Sequence, residues 1–543
     1  LNMPKPDEYG SQPPLELLRQ VIDNGGFYDR QKLFYKNIER VSYVAACGPP
    51  GGGRYTISTR LARHMHTIWV PDPPAESLQN VYESIFTGYL KTEVPELNDL
   101  QQLSRNIVSS TTEIYRAVLI HLRPTPKKSH YTFNTRDVSN VFQGMLMVNR
   151  QRLWQKDDTS AIAKVFEDES SNSAEEDASK NVFPTEKVIR KLLRLWLHEQ
   201  SRVIYDRLID ESDQKWFADL CATTTSKNFP SRNIFVEDVM TDGNDGNDDN
   251  KNQQKTSSTE KNKEYLEGLM FATLSGADDD PDYREHIASS ESAITSIGDE
   301  LTTQLEEFKM MAGSGGNKED SAPAVTDLVF FRDAVSHVAR LTRILLQPRG
   351  NALLVGVGGS GRKSLSRLAS YMSGSIIRTI QVTSQYGMAE WREDIKSNLM
   401  LAGLSQRKGV VFMLDDTQVV QESFLEDVNS ILTSGEVLNI YEQEDLEKIV
   451  SESKASAEAA ANGTTLGRES ILNYYRQKVR ESLHIVMTFS PIGNTFRQRM
   501  MAFPSFSNCC VVDWYHRWPQ TALLSVARRL FHRRVSDIGG AQY

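Results

Sequence analysis

The chain has 543 residues, enough for three or more compact units at the usual ~100–200 residues per domain. Hydrophobic residues make up 39% and charged residues 24%, a globular balance that excludes wholesale disorder. The net charge of −9 argues against a nucleic-acid binder, which needs a basic face. No apolar run approaches the ~20 residues that cross a bilayer, so no membrane partner is expected.

The cysteines, Cys47, Cys221, Cys509 and Cys510, form no C-x-x-C pair. They point to a reducing compartment and no zinc site. The N-terminus lacks a basic region followed by an apolar one, so no signal peptide is expected. A start at Leu1 rather than Met, and a stop at Tyr543 just past Gly539-Gly540, lead one to expect a fragment of something longer.

In chain order, the first block runs from Leu1 to about Arg152 and opens with a polar, turn-rich segment. Val41–Ala46 reads as a short buried strand ending in Cys47-Gly48-Pro49-Pro50-Gly51-Gly52-Gly53. Helices are predicted over Pro74–Leu90, over Leu97–Leu122, where Leu100, Leu103, Ile107, Ile114, Val118 and Leu122 recur at helical spacing, and over Thr135–Val148. Pro124 and Pro126 stop the second of these. Two stretches, Asp157–Asn181 and Asp238–Lys263, are too polar to offset their ordering entropy and read as solvated loops. Gly313–Asn317 is a third soft spot. Between them, Val188–Leu208 carries a stripe of Leu192, Leu193, Leu195, Trp196, Ile204 and Leu208, read as packing core. No repeat of ~20–50 residues appears, which excludes a solenoid.

The second block, Asp327–Arg534, alternates. Helices are predicted at Leu328–Leu346, Lys363–Met372, Met388–Ala402, Glu422–Thr433, Arg468–Val479 and Thr521–Phe531. Strands are predicted at Ala352–Val357, Ile376–Val382, Gly409–Leu414 and Leu483–Phe489. Short, continuously apolar strands separated by helices imply a parallel sheet covered on both faces.

The first of these strands runs into Gly356-Val357-Gly358-Gly359-Ser360-Gly361-Arg362-Lys363-Ser364, and a helix follows. Strand, glycine turn and helix N-terminus form the context of a phosphate loop: glycines let backbone N–H groups converge on phosphate, and the helix end adds positive charge. Counted from Gly356, Arg362 falls where the pattern G-x-x-x-x-G-K-[ST] has lysine and Lys363 where it has Ser or Thr, while Ser364 comes one residue late. Arginine neutralises phosphate as a planar fork rather than a point charge, and the displaced hydroxyl weakens the expected magnesium ligand.

Gly409–Leu414 ends in Asp415 and Asp416, the second half of such a site, with Asp415 expected to hold magnesium. Asp416 stands where a longer Glu normally polarises the attacking water, and small misplacements cost large rate factors. It also suits a helix N-cap. Ser490, at the end of the strand Leu483–Phe489, is the candidate sensor of the γ-phosphate. Arg497 and Arg499 are candidates for a finger reaching a neighbouring site, or else a surface basic pair.

These residues resemble the dynein heavy chain, an AAA+ ring motor, over most of the chain outside the two polar insertions. The resemblance is dense from Gln347 to Arg362, from Tyr386 to Asp394, at Glu422–Asp427, and at Phe503-Pro504-Ser505 with Asn508-Cys509-Cys510. It implies α/β P-loop AAA+ modules, each a parallel sheet flanked by helices, with helical lid subdomains. Residues 326–543 look like the fourth module, and Arg362 in the loop is similar to axonemal rather than cytoplasmic chains. Residues 1–152 look like the later part of the third module and the start of its lid, on Tyr9-Gly10-Ser11-Gln12-Pro13-Pro14, Cys47–Arg54 and Pro124–Asn134. Residues 153–325 would be the lid and linker region. By position Arg63 matches the third module's arginine finger and Arg136 its second sensor. Arg497 or Arg499 would serve the third module's own site, although Met501 stands where the family often has a further arginine.

The resemblance implies ATP or ADP with Mg2+ as ligands, bound in a regulatory module; Arg362, Lys363 and Asp416 together lead one to expect that it hydrolyses slowly or not at all. It implies a motor directed to microtubule minus ends, in the cytoplasm and cytoskeleton, at the axoneme of cilia and flagella. Expected partners are the other AAA+ modules of the same heavy chain and, through the full-length protein, intermediate and light chains and microtubules. Two other readings stay open: a nucleotide-free ring spacer and an unrelated AAA+ remodelling ATPase.

Overall fold

The structure is a computed structural model. It describes residues 7–29, 32–48, 56–71, 73–95, 100–148, 185–230, 232, 234–237, 251–274, 283–287, 291–314, 328–405, 409–461, 463–520, 522–528 and 531. The acidic stretch 157–181, the glycine run 49–53 and residues 315–317 lie outside the described residues.

Helix α1 (Pro13–Asn24) begins with proline in its first turn and ends at Gly25, φ +66°, the usual placement of the two residues. A small antiparallel hairpin follows, β1 (Gly26–Tyr28) on β2 (Tyr35–Asn37). The apolar run 41–46 is not the buried strand its composition suggests: it is exposed, with Val44 99% accessible, and it pairs with no described strand. A strand needs a partner ladder and a face to bury, and the described chain supplies neither to this segment.

The expected helices follow as α2 (Ala75–Glu93), α3 (Leu100–His121) and α4 (Thr135–Met145). Asn134 and Asp137 cap α4 reciprocally, satisfying N–H groups that would otherwise lack partners. Phe86, Ile107, Ile114, Val118, Val141 and Phe142 join these helices in one core. Helix α5 (Thr185–Val203) runs through that core with Leu192, Leu193, Leu195, Trp196 and Leu197 fully buried. The Trp196 indole N–H donates to Thr111 Oγ1 at 2.8 Å.

Helices α6 (Glu211–Asn228) and α7 (Lys251–Gly268) pack together. The second half of Asp238–Lys263 is therefore helix rather than loop. It is held from outside itself: Thr259 and Asn262 donate to the Asp219 carboxylate at 2.9 and 3.0 Å. The hairpin β3 (Leu269–Ala272) on β4 (Arg284–Ile287) and helix α8 (Glu291–Ser314) then lead to the second block.

That block holds α9 (Arg332–Leu346), β5 (Ala352–Val355), α10 (Arg362–Met372), β6 (Ile376–Thr379), α11 (Met388–Leu404), β7 (Val410–Asp415), α12 (Ser423–Ser434), α13 (Gln443–Ala460), α14 (Arg468–Ser482), β8 (Leu483–Phe489), α15 (Thr495–Ala502) and β9 (Val511–Trp514). Residues 522–528 are helical, within the predicted 521–531. The sheet order is β6-β7-β8-β5-β9, every pair parallel, so β8 separates the two motif strands.

Successive side chains alternate between the two faces, as a pleated strand requires. Leu353, Val355, Phe412, Leu414, Ile485 and Met487 enter the core under α11, α12 and α14. Ala352, Leu354, Val411 and Val486 enter the core under α8, α9 and α10. Met270 and Ala272 of β3 belong to that second core and β3 packs against α9, so the middle of the chain shares the core of the sheet that carries the phosphate loop.

Candidate functional site

The four apolar residues of β5 are fully buried, and the chain runs on from the end of the strand into Gly356. A methyl group on Gly356 would meet Tyr515 Cβ at 2.7 Å, so only glycine fits where the loop passes the end of β9. Gly359 and Gly361 take φ +82° and +87°, the left-handed region that glycine reaches without Cβ strain. Gly361 then caps α10, aiming that helix N-terminus at the loop, where its unpaired N–H groups favour an anion. Val357, Gly358 and Ser360 complete the turn. Ser360 is buried, and its Oγ has no hydrogen-bond partner among the described residues.

Arg362 lies where a phosphate loop carries lysine. Its guanidinium folds back within the loop: Nη1 donates to the Phe489 carbonyl at 2.6 Å and Nη2 to the Val357 carbonyl at 3.4 Å. Lys363, one residue on, reaches across to β7, and its Nζ lies 2.7 Å from Asp415 Oδ2. Ser364 is half-buried in the first turn of α10.

Asp415 is the last residue of β7, and its carboxylate is enclosed. Oδ2 accepts from Lys363 and Thr417, and Oδ1 accepts from Thr488 at 2.6 Å. Burial pushes this carboxyl up, but the donors from Lys363, Thr417 and Thr488 outweigh it and hold the group below its ordinary range. Asp416 Oδ2 accepts the backbone N–H of Ser490 at 2.9 Å, tying it to the end of β8. The sheet thus brings Ser360, Arg362, Lys363, Asp415, Asp416 and Ser490 into one cavity of about 830 Å³, a size and shape suited to a small-molecule ligand.

The far wall comes from α9, β9 and the first half of the chain. His337 Nδ1 and Arg340 Nη1 reach the Asp513 carboxylate at 2.7 and 2.9 Å, and Arg340 Nη2 lies 3.0 Å from Asp206. Burial raises Asp513, but the facing His337 and Arg340 bring it well below its ordinary value. Asp206 is raised, because burial outweighs Arg202 and Arg340. The His337 and Tyr515 rings stack at 3.7 Å.

The remaining candidates lie elsewhere. Arg499 points into its own module: Nη2 and Nε meet Glu422 Oε1 at 2.8 and 3.1 Å, with the guanidinium over the Phe489 ring. It lines a smaller cavity of about 250 Å³ with Asp416, Thr417 and Ser490. Arg497 is exposed on α15. Arg63 is exposed, with Nε 3.0 Å from His64 Nε2 and Nη2 3.4 Å from Asp23. Arg136 is exposed on α4, its Nη1 3.5 Å from Cys509 Sγ. Neither Arg63 nor Arg136 lines the large cavity.

Thr488, Thr417 and Arg340 escape a reading of motifs. The register of Thr488 opposite Asp415 is legible only once the strand order is known. The other two carry no pattern.

Comparison with known proteins gives three family matches. Residues 326–539 match a P-loop containing dynein motor region D4, residues 1–73 a P-loop containing dynein motor region, and residues 107–162 with 180–239 an AAA+ lid domain. Among curated relatives, human dynein axonemal heavy chain 6 is 36% identical over 535 residues, 98% of this chain and 11% of the relative. Human dynein axonemal heavy chain 1 is 35% identical over 559 residues, 100% of this chain and 11% of the relative. The dynein-1-beta heavy chain of the flagellar inner arm I1 complex of Chlamydomonas reinhardtii is 37% identical over 535 residues, 97% of this chain and 10% of the relative. The chain therefore spans about a tenth of the length of the relatives it matches.

Proposed function

Because the chain belongs to the dynein heavy-chain family, we propose that it supplies the third-to-fourth-module segment of an ATP-driven motor ring, with residues 1–152 ending the third module, 153–325 its lid and linker, and 326–543 the fourth. The fourth module binds ATP or ADP as a regulatory site. The observation that carries this reading is the glycine turn between β5 and α10, which aims a helix N-terminus and the Ser360 hydroxyl, unpartnered among the described residues, into a cavity closed by Asp415 and Ser490.

The chain's own groups bind and orient. Backbone N–H groups of the loop and the α10 N-terminus receive phosphate oxygens. Arg362 turns from the Val357 carbonyl toward the phosphates, and Ser490 faces the terminal one. Hydrolysis is slow or absent, because the short Asp416 carboxylate is tied to the Ser490 N–H rather than reaching a water in line with the phosphate. The P-loop pattern leads one to expect magnesium on Asp415, but the donor set does not fit it. Lysine replaces the hydroxyl ligand, and both Asp415 oxygens already accept hydrogen bonds.

Arg497 reaches the third module's site from this module, and Arg63 reaches the second module's. Arg136 acts as the third module's second sensor. The whole protein is a motor directed to microtubule minus ends, at the axoneme of cilia or flagella. Its partners are the ring's other modules, intermediate and light chains, and microtubules. Family membership sets aside the unrelated remodelling ATPase.

A second reading, the nucleotide-free spacer, is favoured by Arg362 filling its own loop through the Val357 and Phe489 carbonyls. Calorimetric titration of ADP into the chain separates the two. The regulatory reading expects one site per chain, lost in Gly361→Val with the helical circular dichroism unchanged. The spacer reading expects no heat of binding.

A further inference from the structure

We infer that the Lys363 ammonium does the work of the divalent cation at this site, so that the cavity takes a nucleoside di- or triphosphate without magnesium. The inference rests on the nucleotide-site reading above and goes beyond it in naming the counter-charge.

Position and contact agree. Lys363 follows Arg362 in the first turn of α10, where a phosphate loop places the hydroxyl that ligates magnesium. Its Nζ is 2.7 Å from Asp415 Oδ2. The other oxygen is taken by the Thr488 hydroxyl at 2.6 Å. Magnesium demands a near-octahedral set of oxygen ligands and gives up its waters reluctantly. Here one ligand is replaced by a cation that repels it, and the carboxylate that remains has donors on both oxygens.

Charge balance favours the same conclusion. A bound polyphosphate needs its negative charge neutralised, and Arg362 and Lys363 bring two fixed positive charges to one loop, added to the helix N-terminus. The Lys363 side chain is 49% exposed while that of Asp415 is 7% exposed. The flexible ammonium can therefore swing between carboxylate and phosphate while the carboxylate stays in place.

The test is calorimetric titration of ADP into the intact chain, in excess magnesium chloride and in EDTA. The inference expects Kd values within about threefold of each other. Lys363→Ser should bind ADP about tenfold more weakly in EDTA and recover when magnesium is added. Lys363→Met should weaken in EDTA without recovering. A second readout is electron paramagnetic resonance of added Mn2+ with ADP: no stoichiometric bound manganese in the unmodified chain, and bound manganese in Lys363→Ser. If the unmodified chain tightened on ADP tenfold or more with magnesium, the inference would be overturned while the nucleotide site stood. No ADP binding in either condition would overturn the nucleotide reading and the inference together. The unmodified chain decides the matter even if a variant fails to fold.

Discussion

Thr488 Oγ1 donates to Asp415 Oδ1 at 2.6 Å across paired strands β8 and β7. This bond, between two buried residues at the heart of the sheet, fixes the carboxylate that Lys363 meets from the other side. Thr488→Val keeps the shape and removes the donor, leaving a buried carboxylate oxygen short of one partner. The expected cost is about 1–3 kcal/mol, read as a lower urea midpoint with an unchanged slope.

Arg340 is the shared partner of two buried carboxylates, Asp206 and Asp513, one from each half of the chain. Arg340→Met removes the group they share, leaving Asp513 to His337 and Asp206 to Arg202 alone. Removing one partner of a buried ionic cluster costs roughly 3–5 kcal/mol. The expected result is a lower melting temperature and a second, earlier unfolding step, as the half ending near Ser314 separates from the sheet. A single unshifted transition would contradict the coupling.

His130 links the two halves as well. Its ring stacks on Trp514 at 5.0 Å, and its Nε2 lies 2.9 Å from the Arg207 carbonyl. Burial pushes its pKa down to about 4. The folded chain therefore refuses a proton that the unfolded chain accepts near 6.5, so stability falls as pH drops from about 6.5 toward 4, by about 3 kcal/mol for this group once below both values. Buried His198 and His484, also lowered by desolvation, act in the same direction. Melting temperatures from pH 7 to 4.5 should fall steeply in the unmodified chain and less steeply in His130→Gln.

The two arginines of α15 should separate. Arg499→Ala loses Glu422 and the Phe489 ring and should lower the chain's own melting temperature. Arg497→Ala, on an exposed residue, should leave it within about 0.5 kcal/mol. In the full-length ring, however, Arg497→Ala should slow hydrolysis at the neighbouring module by about 10³-fold, the scale of a lost arginine finger. ATP turnover of a ring in which only that neighbouring site is intact measures it.

Much of the site is legible in the residues themselves. The run from Ala352 through the glycines to Ser364, and the apolar strand ending at Asp415, carry their geometry in composition, because continuous apolar strands and left-handed glycines have few alternatives. Strand β9 does not: Val511-Val512-Asp513-Trp514 is four residues long and its Asp513 is buried, which makes sense only against Arg340 and His337. Helix α13 is nearly all polar or alanine and has no strong stripe. Residues 251–263 look like a loop because their order comes from Asp219 and the neighbouring α6. The exposed 41–46 run shows the converse, since apolar composition without a partner does not make a strand. The meeting of Lys363 with Asp415, 52 positions apart, depends on side-chain direction, and no motif encodes that.

The central claim is that a nucleotide sits in the cavity between the β5–α10 turn, α9 and Asp415. Photo-crosslinking the intact chain with an azido derivative of ADP, followed by peptide mapping, tests it most directly. The account predicts a single labelled region within residues 328–365, displaced by unlabelled ADP. Label confined to residues 7–148, or label that ADP does not displace, would contradict it.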